Sequence, residues 1–83
     1  MGGKGMRLKI LYFGIFRDIT GKYFEIIDFE GKYLVDLKEY IKKKYPEIAD
    51  DNMIISINFR YVENNPELNE NDEIAIMSPV NGG

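Results

Sequence analysis

The sequence predicts an α+β domain in which a mixed β-sheet is covered on one face by one main helix. Three observations lead there. Several short segments alternate apolar and polar side chains with the period of a strand, residues 34–45 carry apolar residues at the period of a helix, and 83 residues suffice for only one hydrophobic core. With 45% hydrophobic residues the chain has the apolar material for that core, although so small a domain buries only about 60–65% of its unfolded surface.

The first alternation covers residues 7–13, where Leu8, Ile10 and Tyr12 fall on one side and Lys9, Leu11 and Phe13 on the other. This is a strand whose second side turns apolar at Leu11 and Phe13, so that end is either covered or forms a contact surface. Residues 14–20 are too few for a full helix and form about one or two turns, closed by Gly21 as a C-cap. A second strand over residues 22–29 follows, with Gly31 at its exit. In residues 34–45, Leu34, Leu37, Ile41 and Tyr45 stand at intervals of three, four and four, which is one helical stripe. Asp36 and Glu39 near its start and Lys42, Lys43 and Lys44 near its end match the helix dipole, and Pro46 stops it. The lysine triplet is read as this solvated last turn rather than as a phosphate site.

Residues 53–59 set Ile55, Ile57 and Phe59 against Ile54, Ser56 and Asn58, a third long strand with Asn58 at the turn and Tyr61-Val62 returning as a short fourth. After a polar stretch around Pro66, Asn71-Asp72 forms a turn and residues 73–77 the last strand, with Ile74 and Ile76 inward. The expected core is Leu8, Ile10, Leu37, Ile41, Ile55, Ile57, Ile74 and Ile76. This order of strands about one helix is consistent with a ubiquitin-like β-grasp. The expected organisation is a flexible leader over residues 1–6, a single domain over 7–79 and a mobile tail over 80–83. The glycine-rich leader is a disordered segment, an appended one, or the result of a start codon upstream of a native Met6.

Composition narrows the function classes. Eleven Lys and Arg against 14 Asp and Glu give a net charge of -3, the wrong sign for a nucleic-acid binder and better suited to a basic protein partner. The chain has no Cys and no His, which removes disulfides, thiol nucleophiles, the usual zinc ligands and the imidazole acid–base group together. No metal site, no bound cofactor and no stand-alone enzyme chemistry is expected. No apolar run approaches the roughly 20 residues that span a bilayer and no signal peptide is visible, so a cytoplasmic protein that binds no membrane is expected.

The informative segment is the end, Ser78-Pro79-Val80-Asn81-Gly82-Gly83. Pro79 has no donor N–H and biases Ser78 to an extended conformation, so the last strand should stop there and the tail leave the sheet. Two readings fit such an end. It is a frayed polar terminus, or it is an arm whose glycines, lacking Cβ atoms, let a partner's narrow channel close around the backbone and leave the terminal carboxyl open to attack.

The chain resembles the MoaD/ThiS family of small sulfur carriers, in which MoaD is the small subunit of molybdopterin synthase. The resemblance covers nearly everything from Met6 to Gly83. It is carried by Lys9-Ile10-Leu11-Tyr12-Phe13-Gly14 with Phe16-Arg17-Asp18, by Asp36-Leu37 with Lys44-Tyr45-Pro46, by Ile57-Asn58, and above all by the run from Asn71 to Gly83. Ser78 departs from the family by standing where the first of two prolines is frequent. Phe59 departs by standing where Gly is frequent, which is expected to affect local shape only.

The resemblance implies that Gly83 is the functional residue, its carboxylate becoming a thiocarboxylate, with Pro79, Val80, Asn81 and Gly82 as the tail that presents it. It implies three partners: an adenylating enzyme of the ubiquitin-activating kind (MoeB-like) that spends ATP on the Gly83 carboxylate, a sulfur donor protein, and the large (MoaE-like) subunit of molybdopterin synthase, which uses the sulfur to build the dithiolene of the molybdenum or tungsten cofactor. It also places Phe13, Tyr61 and Met77 on the sheet face used for that subunit, although each residue alone fits a core as well as a contact. The alternatives are a ubiquitin-like modifier joined to other proteins through Gly83, a ThiS-like carrier for thiamine synthesis, and an interaction domain with an inert tail.

Overall fold

The computed structural model describes residues 5–48 and 53–79 and contains β1 (Met6–Tyr12), α1 (Ile15–Thr20), β2 (Phe24–Phe29), α2 (Leu34–Lys44), β3 (Ile54–Ile57), β4 (Arg60–Tyr61) and β5 (Glu73–Met77). The tail expected over residues 80–83 lies outside the described residues, and β1 opens at Met6, one residue inside the segment expected as a leader. The strands stand in the order β2-β1-β5-β3-β4. β1 pairs antiparallel with β2 and parallel with β5, while β3 pairs antiparallel with both β5 and β4. One parallel pair, first strand to last, makes the sheet mixed and yields the β-grasp arrangement.

The inner face follows the alternation. Leu8, Ile10 and Tyr12 of β1 and Ile74 and Ile76 of β5 are fully buried, and Ile27 and Phe29 of β2 extend the same layer. Leu34, Leu37 and Ile41 of α2 join this cluster as one helical stripe, together with Phe16, Ile48, Ile55 and Leu68. Seven of the eight expected core residues are therefore buried. The eighth, Ile57, only packs partly against the cluster, because it is the last residue of β3 and its neighbour β4 is a two-residue edge strand. Phe59, read from alternation onto the face of Ile55 and Ile57, is instead 84% exposed: β3 ends at Ile57, and Phe59 sits in the turn with φ 71°. The strand expected over residues 22–29 likewise begins only at Phe24.

Polar side chains fix the ends of α2. Asp36 accepts the Tyr33 and Lys32 N–H groups at 2.9 and 3.1 Å, and these bonds hold its carboxyl below the usual aspartate range. The Val35 N–H is satisfied by Asn65 Oδ1 at 2.7 Å, a cap supplied from 30 residues away. Gly21 closes α1 in the left-handed region, and at the other end of α2 Lys44, one of the triplet read as solvated, reaches Glu25 at 3.0 Å. Glu25 also accepts hydrogen bonds from Lys22, from Tyr45 and from the buried Tyr12 hydroxyl. Burial pushes its carboxyl upward, but the four hydrogen bonds outweigh that and hold it at about 2. One carboxylate thus ties β1, β2 and the end of α2 together.

Leu37 and Ile57 separate the two degrees of burial. Leu37→Ala should lower the unfolding free energy by about 2–5 kcal/mol, and Ile57→Ala by roughly 1–2 kcal/mol, in urea titrations. An equal or larger loss at Ile57 would contradict the assignment of the edge.

Candidate functional site

Because β1 and β5 are parallel, both finish at the same end of the sheet. The Phe13 N–H donates to the Ile76 carbonyl at 3.0 Å, carrying the pairing one residue past β1. The chain then turns away through Gly14 at φ 60°, ψ -134°, a conformation that only glycine adopts readily. That turn also makes room for the departing chain: a Cβ on Gly14 would stand 3.2 Å from Ser78 Oγ. Pro79 follows, exposed, so the described part of the C-terminal segment leaves the sheet beside Gly14. Val80, Asn81, Gly82 and Gly83 lie outside the described residues.

Among the described residues no helix lies on the sheet face opposite α2. Its register puts Phe24, Leu11, Ala75, Ser56 and Tyr61 in one row across all five strands. Ala75 and Ser56, the small residues in the middle, are buried, whereas Phe24 and Tyr61 at the edges are exposed. One step nearer the tail, Met77 pairs with Ile54, and the β1–β5 register carried past Tyr12 brings Phe13 opposite Met77. Phe13 is 37% exposed, Tyr61 73% exposed and Met77 half-buried. The structure therefore brings Phe13, Tyr61 and Met77 onto one face, with Met77 central and Tyr61 on the far edge. Phe24, Ile26 and Ile54 enlarge the same apolar face, and sequence reasoning missed them because the pairing of β2 and β3 with their neighbours decides which side they present.

Tyr61 is held by the hairpin of β3 and β4. Its two-residue loop, Asn58-Phe59, has positive φ at both positions, 52° and 71°, as a type I′ turn requires. Asn58 suits that backbone and is locked from the side: its Nδ2 donates to Asp72 at 2.8 Å and its Oδ1 accepts the Glu73 N–H at 3.0 Å. Asp72, itself buried, also accepts the Asn69 N–H at 2.8 Å. These bonds couple the hairpin to the start of β5 and hence to the strand that ends at the tail.

Among the described residues no group of three His, Cys, Asp or Glu side chains is placed to hold a metal ion. A cleft of about 450 Å³ between β2 and α2, lined by Asp28, Glu30, Asp36 and Glu39 among others, lies toward the opposite end of β2 from the tail exit. The arrangement thus offers an exposed apolar face continuous with a chain exit.

Residues 10–83 match the model of the ThiS family. The molybdopterin synthase sulfur carrier subunit of Dictyostelium discoideum is 31% identical over 83 residues, which cover 93% of this chain and 96% of that protein. A Pyrococcus furiosus structure described as molybdopterin converting factor, subunit 1, superposes with a TM-score of 0.82 at 30% identity, covering 90% of this chain and 99% of that one. A chain of the complex of subunits 1 and 2 of molybdopterin-converting factor from Helicobacter pylori superposes with a TM-score of 0.68 at 25% identity, covering 94% of this chain and all of that one.

The left-handed phenylalanine yields a prediction of its own. Phe59→Gly removes an exposed ring that packs little and relieves the positive-φ strain, so it should stabilise the domain by about 1 kcal/mol, read as a rise in thermal midpoint. A fall in the midpoint would show that the ring contributes packing that its exposure does not suggest.

Proposed function

The chain belongs to the ThiS family, and on that footing we propose that it is the sulfur carrier subunit of a molybdopterin synthase, bearing sulfur as a thiocarboxylate on Gly83. The observation that carries this reading is the near full-length likeness to a sulfur carrier subunit, with a family match that runs to the terminal Gly82-Gly83. The carboxylate of Gly83 is first activated with ATP by an adenylating enzyme (MoeB-like). Sulfur released by a sulfur donor protein as sulfide then attacks the acyl carbon and displaces AMP, leaving sulfur where an oxygen stood with no change of oxidation state. A thiocarboxylate is anionic and nucleophilic at neutral pH, so a chain without cysteine still carries reactive sulfur.

The large subunit of the synthase receives this sulfur, and we assign its docking to the bare sheet face around Met77. The complex of subunits 1 and 2 from Helicobacter pylori supports a partner of this kind. Aromatic and Met side chains suit such a contact because they bury much area at low conformational cost. Parallel β1 and β5 place that face next to the tail exit, so docking aims the tail at the partner's active site. The carrier works in the cytoplasm in this reading, and no helix among the described residues is long and apolar enough to cross a membrane.

Docking and chemistry are then separable in two variants. Removal of Gly83 should abolish sulfur loading by the adenylating enzyme and sulfur donor, measured by intact mass, while binding of the large subunit persists. Met77→Glu should load normally yet bind the large subunit more weakly by more than about 1 kcal/mol in calorimetry, because a charge in a desolvated interface loses its hydration. Loading of the chain without Gly83 would overturn the carrier reading, and undiminished binding by a folded Met77→Glu would remove the face from it.

A further inference from the structure

In the Phe16-Arg17-Asp18 segment Phe16 belongs to the core, whereas Arg17 serves neither the core nor the tail chemistry. Its position is set by three contacts. The Nε donates to the Tyr12 carbonyl at 3.0 Å, and the guanidinium carbon lies 4.3 Å from the centre of the Tyr23 ring and 5.2 Å from that of Phe13. Stacking between two rings with one backbone hydrogen bond removes much of the torsional freedom that an arginine ordinarily loses on binding. Among the described residues no carboxylate lies within 4.0 Å of it, and only its Nε makes a hydrogen bond. Both Nη groups are therefore left to receive a ligand. The fork of such a guanidinium matches a carboxylate, which it holds with two parallel hydrogen bonds.

The fold also places Arg17 close to the chain exit. Phe13, which it covers, is part of the bare sheet face and pairs onward with β5, and Gly14, three residues before Arg17, is the residue beside Ser78 where the chain leaves the sheet. Arg17 thus stands at the rim of the apolar face, at the corner nearest the tail. An apolar face alone permits rotation of the bound partner, because burial is non-directional. A directional charge pair at one corner fixes the angle. We propose that Arg17 is a preset receptor for an Asp or Glu side chain of the docking partner, a positioning contact that sets the angle at which the tail enters the partner. This rests on the docking of the large subunit on the Met77 face.

The test titrates the molybdopterin synthase large subunit of the same organism with the wild-type chain, Arg17→Gln, Arg17→Lys and Met77→Glu, by calorimetry at low and high salt, with a thermal melt of each. Arg17→Gln is expected to weaken binding about tenfold at low salt and to lose much of the salt dependence of the affinity, a readout that loss of packing alone would not move. Arg17→Lys keeps the charge but not the fork, so it should recover the salt dependence while binding less tightly than wild type. Wild-type affinity and salt dependence in Arg17→Gln would overturn the inference, while weakened Met77→Glu in the same series would leave the docking face standing. If Arg17→Gln fails to fold, wild-type affinity in Arg17→Lys overturns it equally. Undiminished binding by Met77→Glu strikes instead at the docking face on which the inference rests.

Discussion

The parallel pairing of β1 with β5 is the constraint from which the rest follows. It joins the first strand of the domain to the last in the middle of the sheet, through Ile10 opposite Ile74 and Tyr12 opposite Ile76. Parallel neighbours end together, so Phe13 and Met77 emerge side by side and the C-terminal segment departs where the first turn begins. An antiparallel pair would send the tail to the other end of the sheet, far from Phe13 and Arg17. The inner faces of the two strands bury the core, and the same backbones show their other side chains, Leu11, Ala75 and Met77, on the face that no helix covers. One pairing therefore serves stability on one side and, in the proposed function, recognition on the other.

Around this pair the loops are held mostly by side chains that serve backbone groups. Asn58 and Asp72 tie the β3–β4 hairpin to the start of β5, Asp36 and Asn65 satisfy N–H groups at the start of α2, and Glu25 gathers two lysines and two tyrosines at the end of the core. A domain of this size has little apolar area to spare, so satisfied polar ends contribute a larger share of its order than they do in a large protein. Tyr61 and Met77 stand on strands whose register is locked and Phe13 is hydrogen-bonded to β5 just past β1, so in the proposed function the docking face is preset before the partner arrives.

Much of this was legible in the residues. Alternation in β1 and β5 and the stripe of Leu34, Leu37 and Ile41 identify the inner layer, because burial on one face imposes those periods directly. Alternation does not reveal where a strand stops when the turn is built from Asn-Phe rather than Asn-Gly, which is why it sets Phe59 on the face of Ile55 and Ile57 and puts Ile57 in the core. Leu68 is buried from within a polar stretch and has no periodic partner to announce it. The Asn65 cap depends on chain folding across 30 residues, and no local pattern encodes it. The grouping of Phe13, Tyr61 and Met77 entered by family resemblance. Strand order and register, which are tertiary, supply its physical basis.

The central claim is that the chain carries sulfur on its last carboxylate, and the intact mass of the protein isolated from its native host tests it most directly. A carrier caught loaded has a mass raised by the difference between one sulfur and one oxygen atom; hydrolysis of the thiocarboxylate removes that increment, alkylation enlarges it by the alkyl group, and both changes localise to the peptide ending in Gly83. A population found only with a free carboxylate, or with Gly83 joined to lysine side chains of other proteins, would contradict sulfur carriage and leave the fold in the service of another chemistry.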